Sequence, residues 1–138
     1  MYAIVIRANT LLLVTKSRGP YAGKYDLPGG RMEPGESSSR ALYRELLEET
    51  GAIANDIALW DICSCTVEYE DNGENVSFNH VGALYSVTLK TEPNRDLMDR
   101  NEDVSRFDWY AIESLSQGKV TPFVWHFIQT LVNPDKLD

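Results

Sequence analysis

Residues 30–52 constrain the fold of this chain more strongly than any other segment, because a Gly-Gly turn leads there into a run with helical periodicity. Ser37 is a favoured N-cap residue, and Gly51 stands where helices often end in a left-handed conformation. The pattern therefore predicts a helix over residues 37–50 whose two ends are both defined by local sequence.

Three glutamates of this helix, Glu45, Glu48 and Glu49, lie at positions i, i+3 and i+4 and therefore share one face. Like charges at this spacing destabilise a helix by about 0.2–0.5 kcal/mol per pair, and no lysine shares the face to neutralise them. Hard divalent cations such as Mg²⁺ prefer carboxylate oxygens. The acidic face therefore predicts a bound divalent cation.

A second side of the predicted helix is apolar, and we expect it to pack on the core through Leu42, Tyr43, Leu46 and Leu47. Ala41 lies one turn before Glu45, where a small side chain leaves room for a metal ion or a phosphate. Arg44 borders the acidic face, and a guanidinium can hold a carboxylate through two parallel hydrogen bonds. We expect Arg44 to pair in this way with Glu36, which precedes the helix.

The composition is ordinary for a globular protein, with 43% hydrophobic and 25% charged residues in a chain of 138. This length predicts a single domain over residues 1–138. The net charge of −8 argues against sequence-independent binding of nucleic acid, which needs a basic surface. A small phosphorylated ligand is compatible with the negative charge, because a bound metal ion can reverse the local potential.

Two further features bear on where the protein acts. The sequence shows no signal peptide, and its apolar runs are far shorter than the ~20 residues of a membrane span. Cys63 and Cys65 are the only cysteines, and we expect them to be reduced and to point to opposite faces of a strand. The sequence therefore predicts a cytoplasmic protein without a membrane partner.

The rest of the chain mixes strand patterns with one more helix. Strands are predicted over residues 2–7, 11–15, 25–27, 53–69, 77–89 and 104–110, with hairpin turns after the first and the fourth. Thr121-Pro122 predicts the start of the second helix. Its apolar stripe consists of Phe123, Val124, Phe127, Ile128 and Leu131. This mixture predicts an α+β protein, arranged as an α/β/α sandwich with a mixed central sheet.

The spacing of the charged residues in residues 30–52 resembles the Nudix box of the Nudix hydrolase family. Gly30 is followed after five residues by Glu36, and after seven more by Arg44, which opens the run Arg-Glu-Leu-Leu-Glu-Glu-Thr-Gly. The preceding Leu27-Pro28-Gly29 also resembles the lead-in of the family. The last box position is usually a bulky aliphatic residue and here is Ala52, a difference that concerns packing rather than chemistry.

The resemblance implies metal-assisted hydrolysis of a nucleoside diphosphate linked to another group. Glu45, Glu48 and Glu49 would be ligands of Mg²⁺ or Mn²⁺, together with the carbonyl oxygen of Gly29. Such an ion polarises phosphoryl oxygens and activates a water molecule. An acidic helix that meets an anionic diphosphate needs an intervening cation, which agrees with this assignment.

The resemblance also supplies candidates for the catalytic residues, although the general base differs between members of the family. Glu45 and Glu48 are candidates within the box, and Glu102 and Asp103 are candidates outside it. Arg44 joins this group as the residue that would fix the carboxylates of the box.

Residues that bind substrate are expected in the loops around the box. Lys16, Arg18 and Lys24 flank the loop that leads into the Gly-Gly turn, and we expect them to contact the distal phosphates. His80 and His126 are expected to be structural. Tyr21, Tyr25, Phe78, Trp109 and Trp125 are candidates for a surface on which a base could stack, although we expect aromatic residues of strands and helices to pack in the core more often.

The substrate itself is predicted from features outside the box. ADP-ribose-type members often carry a proline near the position of Glu68, where this chain has none, and dinucleoside-polyphosphate members often carry a tyrosine at the position of Tyr69. We favour a nucleoside triphosphate or related nucleotide, with a dinucleoside polyphosphate next and ADP-ribose or a nucleotide sugar as a further alternative. A nucleotide sensor without hydrolysis is less favoured, because each box carboxylate is present. The resemblance also allows a homodimer.

Overall fold

The computed structural model describes residues 1–99 and 103–132. Within them the strands are β1 (Tyr2–Ile4), β2 (Ile6–Arg7), β3 (Thr10–Lys16), β4 (Tyr25–Asp26), β5 (Ile53–Asp71), β6 (Glu74–Thr91) and β7 (Val104–Ala111). The helices are α1 (Ser38–Thr50) and α2 (Pro122–Val132), and 3₁₀ turns cover Arg95–Leu97, Ile112–Ser114 and Gln117–Lys119. Neither described helix has the length and apolar character needed to cross a bilayer.

The strands form two sheets. The first has the order β1-β6-β5, in which β1 runs parallel to β6 and β5 pairs with β6 as a long antiparallel hairpin. This hairpin closes at Asn72 and Gly73, whose positive φ angles of 50° and 82° suit a tight turn between twisted strands. The second sheet is centred on β3, which pairs antiparallel with β2, β4 and β7. The mixture of parallel and antiparallel pairs confirms the predicted mixed α+β class.

The first predicted strand, residues 2–7, is divided at Val5. Its first half is β1, where Tyr2 pairs with Leu84 of β6, whereas its second half is β2, where Ile6 pairs with Leu11 of β3. Val5 is only 3% exposed, so the chain is buried where it crosses from one sheet to the other. The predicted hairpin is therefore correct for β2 and β3 and wrong for β1, which completes the other sheet.

Alternation along the strands places the two helices on opposite faces of the sheets. In β3, Leu12 belongs to a core cluster that includes Leu46 of α1. Its neighbour Leu11 belongs to a second cluster that includes Phe127 of α2. The predicted arrangement, with the strands packed between the helices, is confirmed.

The packed side of α1 differs from the prediction. Tyr43 and Leu47 are 39% and 41% exposed, and Leu131 of α2 is 49% exposed, so these three apolar residues lie outside the core. The buried side is rotated toward the acidic face and therefore includes one of its carboxylates. The buried residues of α1 are Ala41, Leu42, Leu46, Glu49 and Thr50.

The two cysteines of β5 have free thiols, as predicted. Their predicted placement on opposite faces is wrong, because residues two apart in a strand point to the same face. Cys63 and Cys65 both pack against the core cluster on the α2 side.

Candidate metal and substrate site

Both ends of α1 are fixed by the residues that the sequence predicted. The Ser37 hydroxyl accepts a hydrogen bond from the Arg40 N–H at 3.2 Å. Gly51 adopts a φ of 75° and donates its N–H to the Leu47 carbonyl at 2.8 Å. A side chain at Gly51 would be strained, because a Cβ there would lie 2.1 Å from the carbonyl oxygen of Asn94. These caps determine which face of α1 meets the rest of the molecule.

The Gly-Gly turn is tied to the start of β1 and lies against α1. The Ala3 N–H donates to the Pro28 carbonyl at 2.8 Å, and the Gly30 N–H donates to the Met1 carbonyl at 3.0 Å. A Cβ on Gly30 would lie 2.5 Å from Oε1 of Glu45. The absence of a side chain at Gly30 therefore allows the turn and this carboxylate to approach each other.

Glu49 is the most enclosed carboxylate of the acidic face, with only 2% of its surface exposed. Oε1 accepts a hydrogen bond from the Gly29 N–H at 3.3 Å, whereas Oε2 is buried and has no hydrogen-bond partner among the described residues. Burial raises the pKa of Glu49 well above its ordinary value, and the charges of Glu45 and Asp26 raise it further. A buried carboxylate oxygen without a donor is costly, which makes a cationic ligand favourable here.

Arg44 connects the other carboxylates of the segment. Its Nε and Nη2 donate to the two oxygens of Glu36 at 2.7 and 2.9 Å, which confirms the predicted two-pronged pair. Its Nη1 donates to Oε1 of Glu45 at 3.0 Å and to Oε2 of Glu48 at 3.3 Å. The bond to Arg44 holds the pKa of Glu36 down at about 2, and the same bond raises the pKa of Arg44. One guanidinium thus orients three carboxylates.

Glu48 lies at the edge of this network. Burial and the charge of Glu45 raise its pKa, while the charge of Arg44 opposes the increase. Its backbone carbonyl accepts the Asp99 N–H at 2.9 Å, so the residues just before the undescribed segment 100–102 are anchored to α1. Glu102, predicted as a general base, falls in that segment and lies outside the described residues.

The donor set suits a hard divalent cation in its chemistry. It consists of carboxylate oxygens, the preferred ligands of such ions, and one of them, Oε2 of Glu49, is buried without a partner among the described residues. The Gly-Gly turn lies beside these oxygens, and only glycine at position 30 allows the turn to come this close to Glu45. Within residues 1–99 and 103–132, however, no three His, Cys, Asp or Glu side chains converge as a ready-made metal cage. The reason is visible in the contacts: Glu45 and Glu48 turn toward Arg44, and Glu49 turns toward Gly29.

The predicted phosphate-binding residues occupy different surroundings. Burial raises the pKa of both Asp26 and Glu49, and the charge of Lys16, at the end of β3, opposes that rise at both carboxylates. Arg18 forms an ion pair with Asp103 at the start of β7. Lys24 closes the same loop, since its carbonyl accepts the Lys16 N–H at 3.0 Å. Lys16 is therefore a predicted phosphate-binding residue whose charge acts on both buried carboxylates.

The aromatic candidates divide into two groups. Tyr21 and Phe78 both contact His80, with ring centroids 6.1 and 6.0 Å away, and Tyr69 meets the edge of Phe78 at 6.0 Å. The other candidates have different neighbours: Tyr25 stacks on Tyr110, Trp109 lies beneath Arg7, and Trp125 packs beside the core on the α2 side.

Three residues near the site were not among the predicted site residues. His80 is one of them, and burial lowers its pKa, with smaller contributions from the charges of the N-terminus, Arg31 and Lys16. Asp26 is another, since it is 3% exposed, burial raises its pKa, and its charge acts on Glu49. Arg31 follows Gly30 directly, so its position in the box could have indicated it. An isolated aspartate between Tyr25 and an apolar residue could have indicated Asp26.

The sequence and the fold resemble those of known proteins. A family model described as NUDIX domain matches residues 1–131. This chain belongs to the NUDIX family. The match covers the box and nearly all of the sandwich around it, so the resemblance inferred from the box extends to the whole described fold.

Three proteins illustrate what this NUDIX chain is similar to. A Mycobacterium tuberculosis protein named "Putative 8-oxo-dGTP diphosphatase 2" is 41% identical over 58 residues, which cover 41% of this chain and 41% of that protein. "Oxidized purine nucleoside triphosphate hydrolase" of Danio rerio is 29% identical over 126 residues, covering 88% of this chain and 72% of that protein. The crystal structure of a MutT NUDIX hydrolase from Burkholderia pseudomallei is 27% identical with a TM-score of 0.70, covering 93% of this chain and 92% of that chain. The chain thus spans less than half the length of the first of these relatives.

Proposed function

We propose that this chain is a divalent-metal-dependent hydrolase that cleaves a phosphoanhydride bond of a nucleoside triphosphate or related nucleotide. The observation that carries the proposal is Glu49, a buried carboxylate with one oxygen unpartnered among the described residues, set between the acidic face of α1 and the Gly-Gly turn. NUDIX hydrolases in general use a divalent metal ion, and this donor set fits one. The identity of the ion, Mg²⁺ or Mn²⁺, and a cytoplasmic location stay predictions from the sequence.

Gly29, Glu45, Glu48 and Glu49 are the residues that would hold the ion. When bound, Mg²⁺ or Mn²⁺ supplies charge neutralisation for the phosphates and lowers the pKa of a bound water molecule. The chain's own contribution is orientation, because Arg44 fixes Glu45 and Glu48 and the Gly29 N–H fixes Glu49. Such fixed polar groups lower the reorganisation needed when charge develops on the phosphates.

Glu48 is proposed as the box carboxylate that accepts a proton, because its side chain is 30% exposed whereas Glu49 is only 2% exposed. Its pKa is raised by burial and by Glu45, and a base works best when its pKa lies near the operating pH. Glu45 is the alternative inside the box, and Glu102 is the alternative outside it. Arg44 acts on the reaction through these carboxylates and is therefore proposed as a positioning residue. Lys16 is proposed to attract the distal phosphates, while Arg18 and Lys24 shape the loop beside it.

A nucleoside triphosphate is the favoured substrate class for two reasons. The two relatives described above carry names that specify 8-oxo-dGTP and an oxidized purine nucleoside triphosphate. The aromatic rings of Tyr21, Phe78 and His80 lie together on the side of the sheets where α2 packs, because His80 also contacts Phe123 of α2 at 4.7 Å. A dinucleoside polyphosphate is the alternative that Tyr69 supports, because this ring contacts Phe78 and could extend the same aromatic surface.

The test is a substrate panel assayed with Mg²⁺ and with Mn²⁺, with every product identified. The panel contains ordinary and oxidised nucleoside triphosphates, dinucleoside polyphosphates, ADP-ribose and nucleotide sugars. We expect release of pyrophosphate or phosphate from a nucleoside triphosphate, and a loss of kcat of at least ~10²-fold in Glu48→Gln. Turnover of no panel member would favour a nucleotide sensor, and unchanged turnover in Glu48→Gln would contradict the assignment of the box.

A further inference from the structure

The loop between β3 and β4, residues 17–24, reaches from the second sheet to the first, and we name it the strap. Its base is closed by the Lys16 N–H, which donates to the Lys24 carbonyl at 3.0 Å. The Ser17 N–H donates to the Asp103 carbonyl at 2.8 Å, so the strap is also tied to the residue that precedes β7. The strap therefore leaves the second sheet from a fixed base.

Tyr21 is the residue through which the strap meets the first sheet. Its hydroxyl lies 3.4 Å from Nδ1 of His80 in β6 and 3.7 Å from Sγ of Cys65 in β5, and its ring stacks on the imidazole with centroids 6.1 Å apart. Tyr21 is half-buried, whereas its neighbours at positions 18–20 and 22–23 are exposed. One side chain that turns inward thus fastens the tip of the strap to the hairpin of β5 and β6, and we name its contact with His80 the latch.

Glycines bracket Tyr21 on both sides. Gly19 and Gly23 both have a φ of 83°, in the left-handed region that other residues rarely adopt. A Cβ at either position would meet no described atom within 4 Å, so the backbone angle and not crowding calls for glycine there. Two such positions allow the backbone to turn about Tyr21 once its side chain is released.

His80 connects the strap to the turn beside the carboxylates. Its Nε2 lies 3.2 Å from the hydroxyl of Tyr2, and Tyr2 forms an isolated β-bridge with Gly29. The imidazole also packs 4.7 Å from the ring of Phe123 in α2, which restricts its orientation. Each ring nitrogen therefore has a tyrosine hydroxyl as its partner, and because a hydroxyl can donate or accept, both contacts can be satisfied in either tautomer.

We propose that His80 is a positioning residue that latches the strap through Tyr21 and thereby holds Lys16 in place for the phosphates of the substrate. This inference rests on the proposed function, in which Lys16 attracts the distal phosphates. Lys16 ends β3 beside β4, and β4 leads through Leu27 and Pro28 into the Gly-Gly turn. A strap that is fastened at its tip therefore fixes this cation relative to the turn and its carboxylates. Release of the latch weakens phosphate binding and leaves the carboxylates unchanged.

The first measurement needs no substrate. The full chain, without metal or nucleotide, is treated with trypsin, and cleavage after the exposed Arg18 is followed by mass spectrometry. Tyr21→Phe keeps the ring and its stacking on His80 and removes only the hydroxyl. Because cleavage follows the population of the open form, we expect the variant to be cut about threefold to tenfold faster, the factor that corresponds to one hydrogen bond. Equal cleavage rates for the wild type and Tyr21→Phe would overturn the proposal.

Further variants assign the effect to the imidazole. His80→Phe keeps an aromatic ring and removes Nδ1, so it should also speed cleavage, and the double variant with Tyr21→Phe should be cut no faster than Tyr21→Phe alone. Tyr2→Phe is the matched control, because it removes the other hydroxyl that contacts the same imidazole and should stay within about twofold of the wild-type rate. Additive effects in the double variant, or equal effects of Tyr2→Phe and Tyr21→Phe, would refute the latch. Should His80→Phe fail to fold, the two tyrosine variants, each of which lacks one oxygen atom, still decide the question.

The second measurement concerns catalysis. With a nucleoside triphosphate that the panel shows to be turned over, Tyr21→Phe should raise KM about threefold to tenfold and keep kcat within about twofold, as expected when ground-state binding alone is weakened. A fall in kcat with an unchanged KM would overturn the proposed link between the latch and phosphate binding.

The two proposals can fail separately. Faster cleavage of Tyr21→Phe, without turnover of any nucleotide in Mg²⁺ or Mn²⁺, would refute the hydrolase and support the latch. Turnover of a triphosphate, with equal cleavage rates and equal KM values in the wild type and Tyr21→Phe, would refute the latch and leave the hydrolase intact.

Discussion

Glu49→Gln should stabilise the metal-free protein while removing its response to divalent cations. The carboxylate is 2% exposed and its Oε2 has no partner among the described residues. An unsatisfied buried polar group costs about 1–3 kcal/mol, and more when it is charged. Glutamine has nearly the same shape and leaves a neutral group in that place, so we expect the free energy of unfolding in EDTA at pH 8 to rise by ~1–2 kcal/mol. For a chain of this size each kcal/mol corresponds to about 3–5 °C in Tm.

The destabilising contribution of Glu49 should depend on pH in a direction that its raised pKa determines. Because the pKa of Glu49 is raised, the folded protein holds this proton more tightly than the unfolded chain does. The destabilising contribution is therefore absent at acid pH and grows as the pH rises from the ordinary glutamate pKa through the raised one. The stability difference between Glu49→Gln and the wild type should increase over the same interval.

Divalent cations should make the wild type more stable than Glu49→Gln, which reverses the order of stability expected in EDTA. At Mg²⁺ or Mn²⁺ concentrations of 100 times the dissociation constant, the wild type should gain about 2.7 kcal/mol, whereas Glu49→Gln should gain much less and lose at least ~10²-fold in kcat. Urea unfolding with and without metal measures the stabilities, and Glu68→Gln on the exposed hairpin is the matched control. A Glu49→Gln variant that is less stable than the wild type in EDTA and equally stabilised by metal would refute the reasoning.

Two further predictions concern the turn and the network around Arg44. Gly30→Ala places a Cβ 2.5 Å from Oε1 of Glu45 and should displace that side chain. We therefore expect Mn²⁺ binding, measured by a metal titration, to weaken by at least about tenfold. An unchanged affinity for Mn²⁺ would contradict the close approach of the turn to Glu45. Glu36 has a pKa of about 2, below the ordinary 4.5, so its pair with Arg44 should stabilise the fold above pH 4.5 and lose this effect as the pH falls through about 2. The stabilities of wild type and Glu36→Gln should therefore differ above pH 4.5 and converge toward pH 2, and a difference that is constant with pH would contradict the pair.

Local sequence was sufficient to predict the structural elements that interactions between neighbouring residues define. The caps Ser37 and Gly51 fixed α1 because an N-cap hydroxyl and a left-handed glycine act within one turn of the helix. The hairpin of β5 and β6 was predicted from the turn at Asn72-Gly73 for the same reason. The pair between Arg44 and Glu36 was also predicted, because the two residues are close along the chain and opposite in charge.

Predictions failed where burial depended on distant partners. Val5 interrupts the first predicted strand because the residues before it, Tyr2–Ile4, pair with β6, which lies far away along the chain. Leu47 and Tyr43 are exposed because the sheets contact a different side of α1 than the apolar pattern indicated. The helical wheel placed Glu49 on an acidic face but could not show that this face is partly enclosed.

The sequence by itself determined the family, the metal-ligand candidates and the reaction class that these imply, because all of them depend on side chains at fixed local spacing. The tertiary structure decided the rest: the burial that leaves Oε2 of Glu49 without a partner among the described residues, and the contacts that bring the rings of Tyr2, Tyr21, Phe78 and Phe123 around His80. Contacts between residues so far apart arise from chain topology and packing, which no local pattern contains. The surroundings of the carboxylates therefore come from the fold, whereas the chemistry on the phosphates was already proposed from the box.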